Sequence, residues 1–131
     1  MPRLIDVKGM TPEDVSRLGA LGVATTAQLL ARAASHEQRE ALAAESGVSE
    51  VAIGRFVALA DLERVRGIAW DYATLVFAAG ITSVPELAFQ SDPAGLRARL
   101  AAANAQEALV KRIPTESQVA GWISSARELP V

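Results

Sequence analysis

The sequence predicts an all-α fold, and three observations carry that prediction. Half of the 131 residues are apolar while only 5% are aromatic, and 26 are alanine, the strongest intrinsic helix former. Apolar residues recur at helical spacing, and no stretch sustains the period-two alternation of a half-buried strand. Helix starts and stops are dense: capping side chains stand three residues ahead of Glu or Gln, and glycines follow the apolar runs.

Each element has its own signal. Thr11-Pro12-Glu13-Asp14 opens a helix over 12–21, with a capping hydroxyl, a proline at the first helical position and acids near the positive helix end. Thr25 with Gln28 opens 26–33, Ser35 with Gln38 opens 36–45, and Ser49 opens 50–61. A helix over 70–79 follows. Ser83 with Glu86 then opens 84–89, Asp92-Pro93 opens 93–103, and Thr115 with Gln118 opens 115–128. Gly22, Gly47 and Gly80 each suit a left-handed C-cap. Only 104–114 is long enough to form an extended loop.

Composition excludes several functional classes. A chain this apolar buries enough surface to offset its ordering entropy, so it folds, and one domain is the natural length reading. With no cysteine, disulfide scaffolds, thiolate nucleophiles and cysteine-ligated metals are ruled out. Thirteen basic residues against fifteen acidic argue against polyanion binding driven by global charge. The amino-terminal residues lack the apolar core of an export signal, and the apolar stretch Leu75–Ala79 is far short of a bilayer span. A soluble cytoplasmic protein is the expectation.

The chain also repeats itself. A shift of 58 residues lays Leu4 on Leu62, Val7 on Val65, Gly9 on Gly67, Ala20 on Ala78, Gly22 on Gly80 and Leu29 on Leu87. Conservative pairs such as Lys8 with Arg66 and Val23 with Ile81 fill the gaps. At a shift of 66 the last helix follows, pairing Ser49 with Thr115, Ile53 with Val119, Phe56 with Trp122 and Ala60 with Ala126. The eight-residue difference falls around 104–111, where a loop tolerates insertion. Two copies of one helical unit, about 1–61 and about 62–131, packed as one compact domain, are the predicted organisation.

Each copy runs from an apolar segment through Gly-hydrophobic-small into an amphipathic helix. The residues Ala60-Asp61-Leu62, Arg64-Val65, Gly67-Ile68, Tyr72-Ala73, Leu75, Ala79-Gly80-Ile81, Ser83-Val84 and Glu86-Leu87 resemble the helix-hairpin-helix superfamily. More specifically, they are similar to a bacterial family of unknown function built from tandem helix-hairpin-helix units. That resemblance spans almost the whole chain and implies two pseudo-repeated, helix-hairpin-helix-containing units. It also implies a hairpin whose backbone amides and following helix end can hold a phosphate.

The hairpin residues Lys8, Gly9, Met10 and Thr11 in the first copy, and Arg64, Arg66, Gly67, Ile68, Ala69 and Trp70 in the second, are therefore the candidate binding residues. Lys8, Arg64 and Arg66 favour the phosphate reading, because such contacts bind a nucleic-acid backbone without reading its sequence. Other features oppose it. Thr11 and Ala69 replace the second hairpin glycine, and Glu13, Asp14 and Asp71 place carboxylates where a phosphate would approach. The Thr11 hydroxyl is also positioned to take one of the free amides. Three readings stay open for the hairpins: connectors that only pack, phosphate sites, or a protein-contact surface.

Trp70, at the hairpin exit, packs against the neighbouring repeat or stands out as an exposed interface anchor. Tyr72 reads as the core-facing aromatic, and Trp122 lies on the apolar face of its helix. His36 reads as a solvated first-turn residue without a cysteine or histidine co-ligand, and the pairs Arg97/Arg99 and Lys111/Arg112 as solvated surface. No phosphate-binding glycine loop, nucleophile elbow or zinc-protease motif is present. The expected function is thus non-catalytic, with no cofactor, metal or small-molecule substrate. A docking or scaffold role through a protein partner or self-association leads, with sequence-independent nucleic-acid binding through the two hairpins as the alternative.

Overall fold

The computed structural model describes Leu4 and residues 11–129. Eight helices and no strand occur among them: α1 (Pro12–Gly19), α2 (Thr26–Arg32), α3 (His36–Ser46), α4 (Glu50–Leu62), α5 (Trp70–Ala78), α6 (Val84–Ala88), α7 (Pro93–Gln106) and α8 (Glu116–Glu128). The all-α expectation holds, and every expected helix is present. No helix is long and apolar enough to cross a membrane among the described residues. The chain divides into two compact units, Met1–Ala60 and Asp61–Val131.

Local capping chemistry sets the helix starts. Reciprocal capping boxes form at Thr25/Gln28, Ser35/Gln38 and Thr115/Gln118. The Thr11 hydroxyl accepts from the Asp14 N–H at 3.1 Å, Ser49 from Ala52 at 3.1 Å, Ser83 from Glu86 at 3.2 Å and Asp92 from Gly95 at 3.1 Å. Each such bond satisfies an otherwise orphaned donor and stabilises its helix by about 1 kcal/mol. Only α5 starts without one: Ala69 occupies the N-cap and offers no side-chain acceptor.

The turns after α1 and α5 are built alike. After α1, the Gly22 N–H donates to Gly19 and the Val23 N–H to the Leu18 carbonyl, both at 3.0 Å, with Gly22 at φ +82. After α5, the Gly80 N–H donates to Phe77 at 2.9 Å and the Ile81 N–H to Val76 at 3.2 Å, with Gly80 at φ +98. These are Schellman turns, in which a left-handed residue lets the chain return two amides to the last carbonyls. The apolar residue beyond each glycine is buried, as is its partner inside the helix (Val23 with Leu18, Ile81 with Val76).

Within the first unit α2 packs on α3. Leu4, Leu18, Val23, Leu29, Leu42, Ile53 and Leu59 are among its buried aliphatic side chains. In the second unit α8 packs against α6 and α7, and α7 against α5. Its interior holds Leu75, Ile81, Leu87, Leu96, Leu100 and Trp122.

Two boundaries differ from expectation by more than one residue. α1 stops at Gly19 because the residues up to Gly22 are taken into the Schellman turn. α7 continues to Gln106, three residues past the expected end, because its alanines still favour helix. Asn104 organises the shortened loop that follows. Its Oδ1 accepts from the Leu109 and Val110 N–H groups at 2.9 and 3.0 Å, and its Nδ2 donates to the Val110 carbonyl at 3.1 Å.

Candidate functional site

The hairpin between α4 and α5 is a sequence of tight turns: the Arg64 N–H donates to Asp61, Val65 to Leu62 and Ile68 to Val65, each at 3.1 Å. Asp61 anchors it from both carboxylate oxygens. Oδ1 accepts from Arg64 at 2.7 Å, and Oδ2 accepts from the Val84 N–H at 2.8 Å, tying the hairpin to the first residue of α6. The Arg66 N–H donates to the Ser125 hydroxyl at 3.3 Å, a second tie, to α8. Ile68 is buried, while Arg66 and Ala69 are exposed.

Gly67 sits at φ +93, so a left-handed residue is required there. Its open face is covered by an aromatic ring: a Cβ built on Gly67 would lie 3.0 Å from Trp122 Nε1 and 3.4 Å from Trp122 Cδ1. Trp122 is 3% exposed and meets Tyr72 with ring centroids 5.1 Å apart and planes at 55°. The close backbone approach that a hairpin glycine allows is thus made by a tryptophan of the same unit.

Arg64 is exposed and its guanidinium pairs with the Asp61 carboxylate at 2.7 Å. Trp70 is half-buried, between the packed and the exposed readings that the sequence left open. Tyr72 is half-buried too, lying on Trp122 with its hydroxyl donating to the Arg112 carbonyl at 3.4 Å. Of the first hairpin, Lys8, Gly9 and Met10 lie outside the described residues; Thr11 is exposed and its hydroxyl is occupied by Asp14.

The exposed aromatic is instead Phe89, 88% accessible at the end of α6. With Val84, Pro85, Ala88, Ala126 and Leu129 it lines a groove of about 440 Å³ between α6 and α8. Arg127 stands on the groove wall with its Nε 3.0 Å from the Ala88 carbonyl and an Nη 2.8 Å from the Gln90 carbonyl. These bonds cap the carboxyl end of α6 and fix the guanidinium in place. Arg127 has no carboxylate partner among the described residues.

A family described as "Domain of unknown function (DUF4332)" has a sequence profile that matches residues 8–129. The chain belongs to the DUF4332 family. No curated protein and no solved structure matches it.

The other basic residues of this DUF4332 chain are largely structural. Arg97, half-buried, donates from Nε to the Pro114 carbonyl at 3.0 Å, and Arg99, exposed as expected, donates to the Ala79 carbonyl at 2.7 Å, so both also tie segments together. Glu63, half-buried beside the hairpin, has its pKa raised above the usual carboxylate range, chiefly by burial. His36 is in the first turn of α3 and exposed, as expected, but it has neighbours that sequence spacing shows only in part. Glu40 is one turn along the same helix; Glu50, from α4, is brought in by the fold.

Sequence reasoning also missed Phe89 and Asn104. Phe89 follows a short helix with no feature to mark it as outward. Asn104 sits in an alanine run, where a polar residue with loop-capping capacity was the available signal.

Proposed function

We propose that this chain is a non-catalytic docking module of the cytoplasm that receives an apolar segment of a partner protein, flanked by an acidic residue, in the α6–α8 groove. The exposed Phe89 carries this reading. A phenylalanine left in water forgoes about 1.5–3 kcal/mol of burial, and large exposed apolar side chains beside a groove are typical of recognition sites. Arg127 supplies the polar complement: a positioned cation on an apolar wall favours a ligand whose apolar anchor is followed by a carboxylate.

The groove belongs, in this reading, to the second of two helix-hairpin-helix-containing repeats. Support comes from the matching Schellman turns, from the caps Thr25 and Ser83, and from the buried pairs Leu29/Leu87 and Leu42/Leu100, all related by the same shift of 58. The hairpins then serve as packing elements. The alternative, nucleic-acid backbone binding through Lys8, Arg64, Arg66 and the hairpin amides, is favoured by the uncapped start of α5. It is opposed by the Trp122 ring over Gly67 and by the Asp61 carboxylate on Arg64.

The test is a selection of displayed peptides on the full chain, followed by NMR mapping of the selected sequences. Peptides with an apolar anchor next to Asp or Glu are expected, with shifts centred on Phe89, Ala126 and Arg127. Phe89→Ala should weaken binding at least tenfold, and an Asp→Asn change in the peptide should weaken it further. Peptides that map elsewhere, or that bind Phe89→Ala undiminished, refute the groove. Tight, steeply salt-dependent binding of labelled duplex DNA, lost in Arg66→Glu, would establish the alternative instead.

A further inference from the structure

His36 is the only histidine of the chain, and both of its ring nitrogens face carboxylates. Nε2 lies 2.7 Å from Glu40 Oε1, and Nδ1 lies 3.7 Å from Glu50 Oε1. One ligand atom from each of the three residues falls within 4.8 Å of the others. An imidazole nitrogen lone pair and two carboxylates gathered at one point are a donor set that a divalent cation can take together, accepting the lone pair and offsetting both negative charges.

The surroundings favour an ion here. Neither Glu40 nor Glu50 has an arginine or lysine partner among the described residues, whereas nearby Glu45 faces Arg32 at 3.7 Å and Arg39 donates to the Ala33 carbonyl. Residues 35–61 carry five acidic side chains against two basic. The framework is held in place as well. His36 and Glu40 are one helical turn apart on α3. Between α3 and α4 run only Gly47 in the left-handed region, the buried Val48 and the capping Ser49, which hold Glu50 in register.

We propose that His36, Glu40 and Glu50 form a surface site for a divalent first-row transition cation. One imidazole nitrogen with two carboxylate oxygens is a donor set suited to zinc, at bond lengths of about 2.0–2.2 Å, with water completing the shell. The three side chains are about half to two-thirds exposed, so small rotations bring their donor atoms to those distances. Magnesium and calcium, which take oxygen ligands, gain nothing from the imidazole.

The experiment titrates the untagged, chelator-stripped 131-residue chain with zinc by calorimetry in a non-coordinating buffer, and with cobalt by visible absorption. One ion per chain is expected, with micromolar affinity, cobalt d–d bands, and no competition from millimolar magnesium. His36→Ala should lower zinc affinity about a hundredfold and Glu50→Gln about tenfold, while Glu45→Gln leaves it unchanged. All of these side chains are exposed, so circular dichroism should show the variants folded. Absence of binding at millimolar zinc overturns the proposal. So does undiminished binding by His36→Ala, or an equal effect of Glu50→Gln and Glu45→Gln.

Discussion

Replacing Gly67 by alanine separates two costs that meet at one residue. The first is conformational: Gly67 is at φ +93, and an L-residue in the left-handed region costs about 1–2 kcal/mol. The second is steric. The new Cβ would stand 3.0 Å from Trp122 Nε1, so the indole must retreat by a few tenths of an ångström. Trp122 is buried and backed by Tyr72, and such overpacking costs about 1–3 kcal/mol. Alanine recovers up to about 1 kcal/mol by restricting the unfolded chain, which leaves a net loss of about 1–5 kcal/mol.

Gly22→Ala is the matched control. Gly22 is also left-handed, at φ +82, but a Cβ there meets nothing within 4 Å, so only the conformational cost applies. Chemical denaturation of the two variants should therefore differ by about 1–3 kcal/mol, with Gly67→Ala the less stable and near-ultraviolet circular dichroism of its tryptophans altered. Equal losses in the two variants would refute the claim that Trp122 closes the hairpin's glycine face.

Other perturbations probe the same unit. Asp61→Ala should lower stability by about 1–3 kcal/mol, because Arg64 and the Val84 N–H both lose an acceptor. Asp61→Asn, which keeps an acceptor oxygen, should lose less in the same urea titration. Asn104→Ala removes three bonds to the loop after α7, and limited proteolysis should cut within residues 107–113 several-fold faster. Burial raises the pKa of Glu63 in the folded chain, so the folded state holds this proton more tightly than the unfolded one. That advantage is complete below the unfolded pKa and is lost as pH rises through the folded value. Glu63→Gln should accordingly be more stable than the parent at pH 7, and the difference should vanish near pH 3–4 in thermal melts.

The candidate sites were legible only where their signals were local. That Thr11 caps α1, and so occupies an amide a phosphate would need, follows from residues three apart. That Arg64 is held by Asp61 is equally a three-residue relation, yet the sequence does not say which of its neighbours an arginine will choose. The ties made by Arg97, Arg99 and Arg127 reach carbonyls 17 to 39 positions away, so no pattern of charges distinguished them from solvated surface. The two aromatics show the same limit. Trp70 stood out by position and proved half-buried, while Phe89, unremarkable by position, is the one left in water.

What the sequence determined by itself is the all-α class, the order of eight helices and nearly all their starts. Capping side chains and left-handed glycines act on amides and carbonyls within about five residues, and that short reach makes them readable along the chain. Tertiary structure alone decided that Trp122 covers Gly67, that Glu50 joins His36 and Glu40, and that α6 and α8 leave a groove beside Phe89. These depend on which helix faces pack together, and packing is set by side-chain shape summed over a unit rather than by any local motif.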